Sequence, residues 1–287
     1  MKEVSLSQGT VTYHDEGSGP PVVFVHGFLV DARLWRQVIP VLSRTHRCIA
    51  PNWPVGSHEL PMNPEADVSP LGVARIVADL LAALELDDVT LVGNDSGGAI
   101  SQLVAAHHPE RIGRLVLTNC DVMETFPPSQ FAYLRMLPKV PGLVWLTSNA
   151  LFRSARLRRR PMAYGKLSKK GLPDDLTRSW LEPCIRSPAI RRDIVKFLGE
   201  VHPRLTIEAA EILATRDLPV LLLWAPEDPF FSIDLAKRLQ GKLRHARLET
   251  IADAYAFVPE DQPEKLAQAI AEFATPPPSG ADHAQSG

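Results

Sequence analysis

The sequence predicts an α/β protein: a mostly parallel sheet with helices on both faces and an inserted helical cap. Three observations carry this reading. Short apolar runs alternate with amphipathic segments up to residue 121, the alternation then stops, and it resumes from residue 215 to 275. Alternation of this kind builds parallel sheets covered by helices on both sides. Between the two halves, residues 122–214 contain several helix-like segments and no convincing strand. The expected organisation is therefore a core made of 1–121 and 215–275, a helical cap of 122–214, and a disordered tail over 276–287.

The elements follow in order. "PPVVFVHGF" (20–28) is a run of β-branched and aromatic residues ending in glycine, which reads as a buried strand. "DARLWRQVIPVLS" (31–43) places Leu34, Val38, Val41 and Leu42 at helical spacing. "HRCIAPNWP" (46–54) is a strand running into a loop, and "SPLGVARIVADLLAALEL" (69–86) is an amphipathic helix with a Ser-Pro start. "DVTLVGN" (88–94), "GGAISQLVAAHH" (97–108) and "IGRLVLTNC" (112–120) read as strand, helix and strand. In the insertion, "DDLTRSWLEPCI" and "AIRRDIVKFLGEV" have helical periodicity, and the basic run "RSARLRRRP" (153–161) reads as a solvated face. The second half adds a strand in 218–228, a helix in 232–243, a strand in 246–254 and a helix in 263–274.

Bulk properties narrow the function classes. The chain has 287 residues, 45% hydrophobic and 22% charged, with a formal net charge of −2, which gives no reason to expect nucleic acid or an anionic membrane as partner. No apolar run approaches the roughly 20 residues of a membrane span. The N-terminus "MKEVSLSQGTVTYHDEG" lacks the apolar stretch of a signal peptide. The three cysteines are odd in number and widely spaced, so they suggest neither a disulfide framework nor a metal site. A cytoplasmic protein without metal or cofactor, monomeric or homodimeric, acting on a small molecule, is the expectation.

The informative stretch is "VTLVGNDSGGAI" (89–100): a buried strand, a glycine-flanked turn and a helix start, with Asp95 and Ser96 side by side. Working residues in α/β sheets sit at the carboxyl ends of strands. A nucleophile at a strained strand-to-helix turn needs small residues two places before and after it. Centring on Asp95 puts Gly93 and Gly97 there; centring on Ser96 puts Asn94 and Gly98 there, and Asn fits the crowded place poorly. The register favours Asp95, with Ser96 contributing its backbone N–H. The bland alternative is a helix-capping aspartate.

With these motifs the chain resembles the α/β-hydrolase superfamily over nearly its whole length. "VVFVHGF" resembles the oxyanion strand and loop, "LVGNDSGG" the elbow, "AAHHPERIGRLVLTN" the following helix and strand, "LLLWAPEDPFF" the segment presenting the acid, and "FVPEDQPEKLAQAI" the last helix. An aspartate at the elbow is similar to the haloalkane dehalogenase and epoxide hydrolase branches. The resemblance implies Asp95 as a nucleophile that forms an ester with the substrate, a histidine that activates water to hydrolyse it, and a carboxylate that orients the histidine. It implies Asp228 as that carboxylate, with Asp121 as the alternative, and the N–H groups of Phe28 and Ser96 as the oxyanion site. His26, Tyr133, Tyr164 and Tyr255 are the residues expected to contact substrate.

The chain departs from the family at the histidine. Anchoring on "FVPEDQPE" puts that place at Ala256. Of the nine histidines, His58 and His202 are the candidates for a relocated base, and both read more readily as surface or packing residues. The family's halide-holding residues are also missing, since Phe28 and Ser96 occupy their places. Tyr133 and Tyr164 could instead protonate a leaving oxygen, as cap tyrosines of epoxide hydrolases do. The preferred function is hydrolysis of a small apolar electrophile (haloalkane, epoxide or ester-like) through Asp95. The alternatives are a non-catalytic small-molecule binder and, last, an esterase using Ser96.

Overall fold

The structure is a computed structural model and describes residues 1–275; the tail 276–287, expected to be disordered, lies outside the described residues. Eight strands form one sheet: β1 (Lys2–Leu6), β2 (Gly9–Glu16), β3 (Pro21–Val25), β4 (Arg47–Pro51), β5 (Val89–Asp95), β6 (Ile112–Cys120), β7 (Val220–Trp224) and β8 (Ala246–Thr250). Their spatial order is β1-β2-β4-β3-β5-β6-β7-β8. The pairs β1/β2 and β2/β4 are antiparallel, and the rest are parallel. The polar, alternating N-terminus thus carries two strands beyond those expected, on the edge of the parallel sheet, where alternation is tolerated because one face meets water.

The helices are α1 (Ile39–Leu42), α2 (Pro70–Ala83), α3 (Ser96–His107), α4 (Leu143–Arg153), α5 (Ala155–Arg158), α6 (Asp174–Arg186), α7 (Pro188–Gly199), α8 (Pro203–Leu213), α9 (Ile233–Lys242), α10 (Val258–Asp261) and α11 (Pro263–Ala274). The start of α2 follows from its sequence: the Ser69 hydroxyl accepts from the Gly72 N–H at 3.1 Å, and Pro70 supplies a preset φ at the first turn. Residues 31–43 are not the single helix their spacing suggests. A 3-10 turn over Ala32–Trp35 is followed by the short α1, in which Pro40, lacking an N–H, stands at the start.

β3 to β7 form the buried centre. Every residue of β5 up to Asn94 is buried, as are all five of β7, which is why these segments read as unbroken apolar runs. Between β6 and β7 the chain is helical, with α4 to α8 and a 3-10 segment over Ser129–Lys139.

Buried polar contacts lock this insertion to the sheet. The Trp180 Nε1–H donates to Asp31 at 3.0 Å, and the Ser57 hydroxyl donates to the Trp180 carbonyl at 2.7 Å. The Asp261 carboxylate accepts from the Ser168 hydroxyl and from the N–H groups of Lys169, Lys170 and Tyr255, at 2.7–3.0 Å. Each such carboxylate is buried with its acceptor sites filled, the condition under which burial of a charge is tolerated. The basic run 153–161 is not uniformly solvated either. Arg158 is buried and donates to the carbonyls of Leu151 and Phe152, the open end of α4, and to Asp174.

Candidate active site

The centre of the site is built by a backbone constraint. Asp95, the last residue of β5, has φ 55° and ψ −135°, and α3 begins at the next residue. A non-glycine residue rarely adopts positive φ, so the turn must be held from outside. The surrounding glycines permit it. A methyl group on Gly97 would overlap the Val25 and His26 carbonyls, one on Gly98 the Cys120 side chain, and one on Gly93 the start of α3. Gly27, on the neighbouring loop, lies against the Asp95 carboxylate itself, so that a methyl group there would overlap it. Asp95 is the tip of the turn, and Ser96 is the first residue of the helix.

Asp95 and Ser96 open into a cavity between the sheet and the insertion that holds about 740 Å³ of empty space, solvent at its mouth included. Its wall is apolar apart from a few groups: Asp95, Ser96, Asp121, and the rings of Tyr133 and Tyr164 among Phe28, Phe126, Phe131, Leu167 and Phe197. A second cavity of about 840 Å³ adjoins it, sharing Phe28, Leu29, Tyr133 and Leu151 and extending to Thr147 and Arg160. Among the described residues that line the first cavity there is no Lys, Arg or His.

The electrostatics follow from that wall. Burial pushes the Asp95 carboxyl up from 3.8 to about 7; the Ser96 N–H works against this, and the charge of Asp228 adds to it. Asp121 follows Cys120 at the end of β6, and burial and the neighbouring Asp95 hold it well above the usual carboxylate range. Asp228 lies after β7, accepting from Asn119 Nδ2 at 2.7 Å and from the Phe230 N–H at 2.9 Å. Burial raises it to about 6 in spite of these donors.

The structure brings some of the expected site residues together and separates others. Asp95, Ser96, Phe28, Asp121, Tyr133 and Tyr164 share one cavity wall. Asp228 is buried behind it, held by Asn119 and the following loop. Ala256 is fully buried, and its carbonyl accepts from Asn94 Nδ2 at 2.7 Å. His26 and Tyr255 are not at the cavity. His26 is enclosed beneath it, where Nε2 accepts from the Trp53 N–H at 2.9 Å; burial holds its pKa near 4, so the ring is neutral. Tyr255 sits half-buried on the loop that wraps Asp261. His58 is likewise away from the site, fully enclosed with Nε2 at 3.3 Å from Asp193. His202 is exposed and caps α8 through Nδ1.

Two expectations need correction. The Phe28 N–H is not a free oxyanion donor, because it donates to the Ser96 hydroxyl oxygen at 2.7 Å. With its oxygen accepting from Phe28, the Ser96 hydroxyl has its hydrogen left over to donate. The tyrosine hydroxyls are also committed. Tyr164 donates to the Leu29 carbonyl at 2.8 Å and Tyr133 to the Met162 carbonyl at 2.7 Å. A residue whose importance the sequence did not reveal is Asn119, with φ 25°, which holds both Asp228 and the Ala225 N–H. Asparagine before an apolar strand end carries no signal of its own.

A model of the α/β hydrolase fold matches residues 20–263. The chain belongs to that family. Among curated relatives, haloalkane dehalogenase 2 from Mycobacterium tuberculosis is 27% identical over 93% of this chain and 92% of its own length. A cis-3-alkyl-4-alkyloxetan-2-one decarboxylase from Shewanella oneidensis is 24% identical over 95% of this chain and 87% of its own. Among solved structures, the haloalkane dehalogenase DbeA from Bradyrhizobium elkani superimposes with a TM-score of 0.76 at 19% identity, covering 95% of this chain and 96% of that one. The relatives named as hydrolases include a 2-hydroxy-6-oxononadienedioate/2-hydroxy-6-oxononatrienedioate hydrolase from Paraburkholderia xenovorans, 26% identical over 91% of this chain and 89% of its own, and the fold of this chain is that of the family. No helix among the described residues is long and apolar enough to cross a membrane, and none of their His, Cys, Asp and Glu side chains form a group of three or more able to hold a metal ion.

Proposed function

We propose that this chain is an enzyme that attacks a small apolar electrophile with the Asp95 carboxylate and carries it as an ester. One observation supports this above the others: a carboxylate at a strained elbow, aimed into an apolar cavity without a cation to neutralise it. A carboxylate stripped of water is a stronger nucleophile than a solvated one. Haloalkanes, epoxides and strained lactones are the electrophiles such a cavity suits, and the names of the relatives run to two of these three classes. The helical segment 122–214 serves as the cap that shapes the cavity. Ser96 stabilises charge through its N–H and its hydroxyl rather than acting as a nucleophile, since no histidine lies at the cavity to take its proton.

The absence of that histidine favours a second reading, a binder that keeps the cavity without turnover. Intact-protein mass spectrometry after incubation with 1-bromohexane and 1,2-epoxyhexane separates the two. An adduct on Asp95 (one hexyl group from the bromide, or the whole epoxide) or its hydrolysis product, either one lost in Asp95→Asn, is the expected result. Tight binding of both compounds with no adduct and no product in wild type would leave only the binder.

A further inference from the structure

The elbow carboxylate has a neighbour that the reading above does not use. β5 and β6 are parallel neighbours, Asp95 stands opposite Cys120, and the Asp121 N–H donates to the Asp95 carbonyl at 3.2 Å. Asp121 is only 1% exposed, yet it lines the same cavity as Asp95. Its Oδ1 is buried with no hydrogen-bond partner among the described residues, whereas Asp228 and Asp261 have their oxygens filled. Buried acceptors left unpaired are uncommon and need a reason. A reactive group that pairs only with its substrate is one.

We propose that Asp121 is a second catalytic residue, acting as general acid and then general base on an electrophile whose leaving group is oxygen, an epoxide foremost. This rests on Asp95 being the nucleophile. Two carboxyl groups crowded together cannot both ionise easily, so the pair holds one proton near neutral pH. Asp95 accepts from the Ser96 N–H, which favours its charged form, whereas Asp121 Oδ1 has no donor, so the shared proton sits on Asp121 and the charge on Asp95.

The proton accounting then closes. Asp95 Oδ attacks an epoxide carbon, the ring C–O bond breaks, and the departing oxygen takes the Asp121 proton. Asp95 is now a neutral ester, so the charge that held Asp121 protonated is gone, and Asp121 is left as a carboxylate. Water next attacks Asp95 Cγ and gives its proton to Asp121. Collapse of the tetrahedral adduct breaks the ester C–O bond, and the departing alkoxide takes a proton from the pair. One carboxylate and one carboxylic acid are restored, and the net reaction is epoxide plus water to diol. A carboxyl group that switches from acid to base across a covalent intermediate is the arrangement of retaining glycosidases. It removes the need for both a histidine at position 256 and a free tyrosine hydroxyl.

The test uses the full chain, 1,2-epoxyhexane and 1-bromohexane, with Asp121→Asn and Asp121→Glu. Wild type should form diol over many turnovers. Asp121→Asn should lose about 10²–10⁴-fold of that rate, the usual contribution of a positioned acid or base. Bromide leaves without a proton, so Asp121→Asn should still be alkylated on Asp95 and should accumulate the adduct, while Asp121→Glu restores part of the epoxide turnover. If Asp121→Asn keeps diol formation within threefold and clears its bromohexane adduct as fast as wild type, Asp121 has no such role and the Asp95 reading stands. If no adduct or product forms with either compound in any protein, both readings are overturned.

A wild-type measurement guards against a variant that fails to fold. The titratable groups around Asp121 are Asp95 on β5 and its neighbour Cys120, with Tyr133 and Tyr164 on the wall of the same cavity and Asp228 acting on Asp95 and Cys120. Alkylation by 1-bromohexane should rise with pH as Asp95 ionises and then level off. Epoxide turnover should rise and then fall again as Asp121 loses its proton. Matching profiles for the two compounds would overturn the proposal.

Discussion

Replacing Asp95 with asparagine should stabilise the protein, and by an amount that depends on pH. In the folded chain, burial moves the Asp95 titration from an ordinary 3.8 to about 7. The folded state therefore binds the proton more tightly than the unfolded state does. Well below pH 3.8 both states are protonated and burial of the charge costs nothing. Between 3.8 and about 7 the unfolded chain ionises first, so stability falls as pH rises; above about 7 the loss is complete and constant. At 1.36 kcal/mol per pH unit the full loss is about 4 kcal/mol. Asparagine has nearly the same shape and no charge, and it also relieves the repulsion on Asp121. Asp95→Asn should thus gain up to about 4 kcal/mol at pH 8.5, or roughly 8 °C in Tm at about 2 °C per kcal/mol for a chain of this size. At pH 4 the gain should shrink to below about 1 kcal/mol. The assay is thermal unfolding of both proteins at pH 4, 5.5, 7 and 8.5. A variant that melts at or below wild type at pH 8.5, or whose advantage is the same at every pH, would refute the claim that Asp95 is a desolvated carboxylate held at functional expense.

Three further outcomes are expected. Gly27→Ala places a methyl group where the Asp95 carboxylate lies, so adduct formation with 1-bromohexane should fall at least tenfold while the circular dichroism spectrum is kept; an unchanged rate would mean that the carboxylate has another working position. Tyr164→Phe deprives the Leu29 carbonyl of its donor and should cost about 1–3 kcal/mol in urea unfolding, yet leave epoxide chemistry within threefold, because its hydroxyl is committed to that carbonyl; a large loss of activity would restore it as a proton donor. Ala256→His forces a larger side chain into a fully buried place and should lower stability by about 1–3 kcal/mol. The same imidazole, on the residue whose carbonyl meets Asn94 at the elbow, should speed hydrolysis of the Asp95 ester by up to roughly 10²-fold, read as decay of the adduct mass; no change in that decay would show that the imidazole does not reach the ester.

Much of this protein was written along the chain. β3 to β7 were legible because a strand buried on both faces must be mainly apolar, and α2 because Ser69 and Pro70 mark its start by themselves. The elbow was legible because the turn needs small residues two places on either side, a requirement that falls within five consecutive residues and selects Asp95 over Ser96. Ala256 was singled out as the expected place of a histidine by its spacing to the last helix. What the sequence did not determine arises from contacts between distant residues. Ser96 Oγ accepts from Phe28, 68 positions away, and Tyr164 donates to Leu29, 135 positions away, so which donors remain free is set only when the loop after β3 meets the elbow and the insertion closes over both. The charge state of Asp121 likewise has no local signature: an aspartate after a strand is ordinary until β5 and β6 lie side by side and the apolar cavity removes its water. Local sterics are encoded within a few residues, whereas desolvation and proton sharing belong to the packed interior.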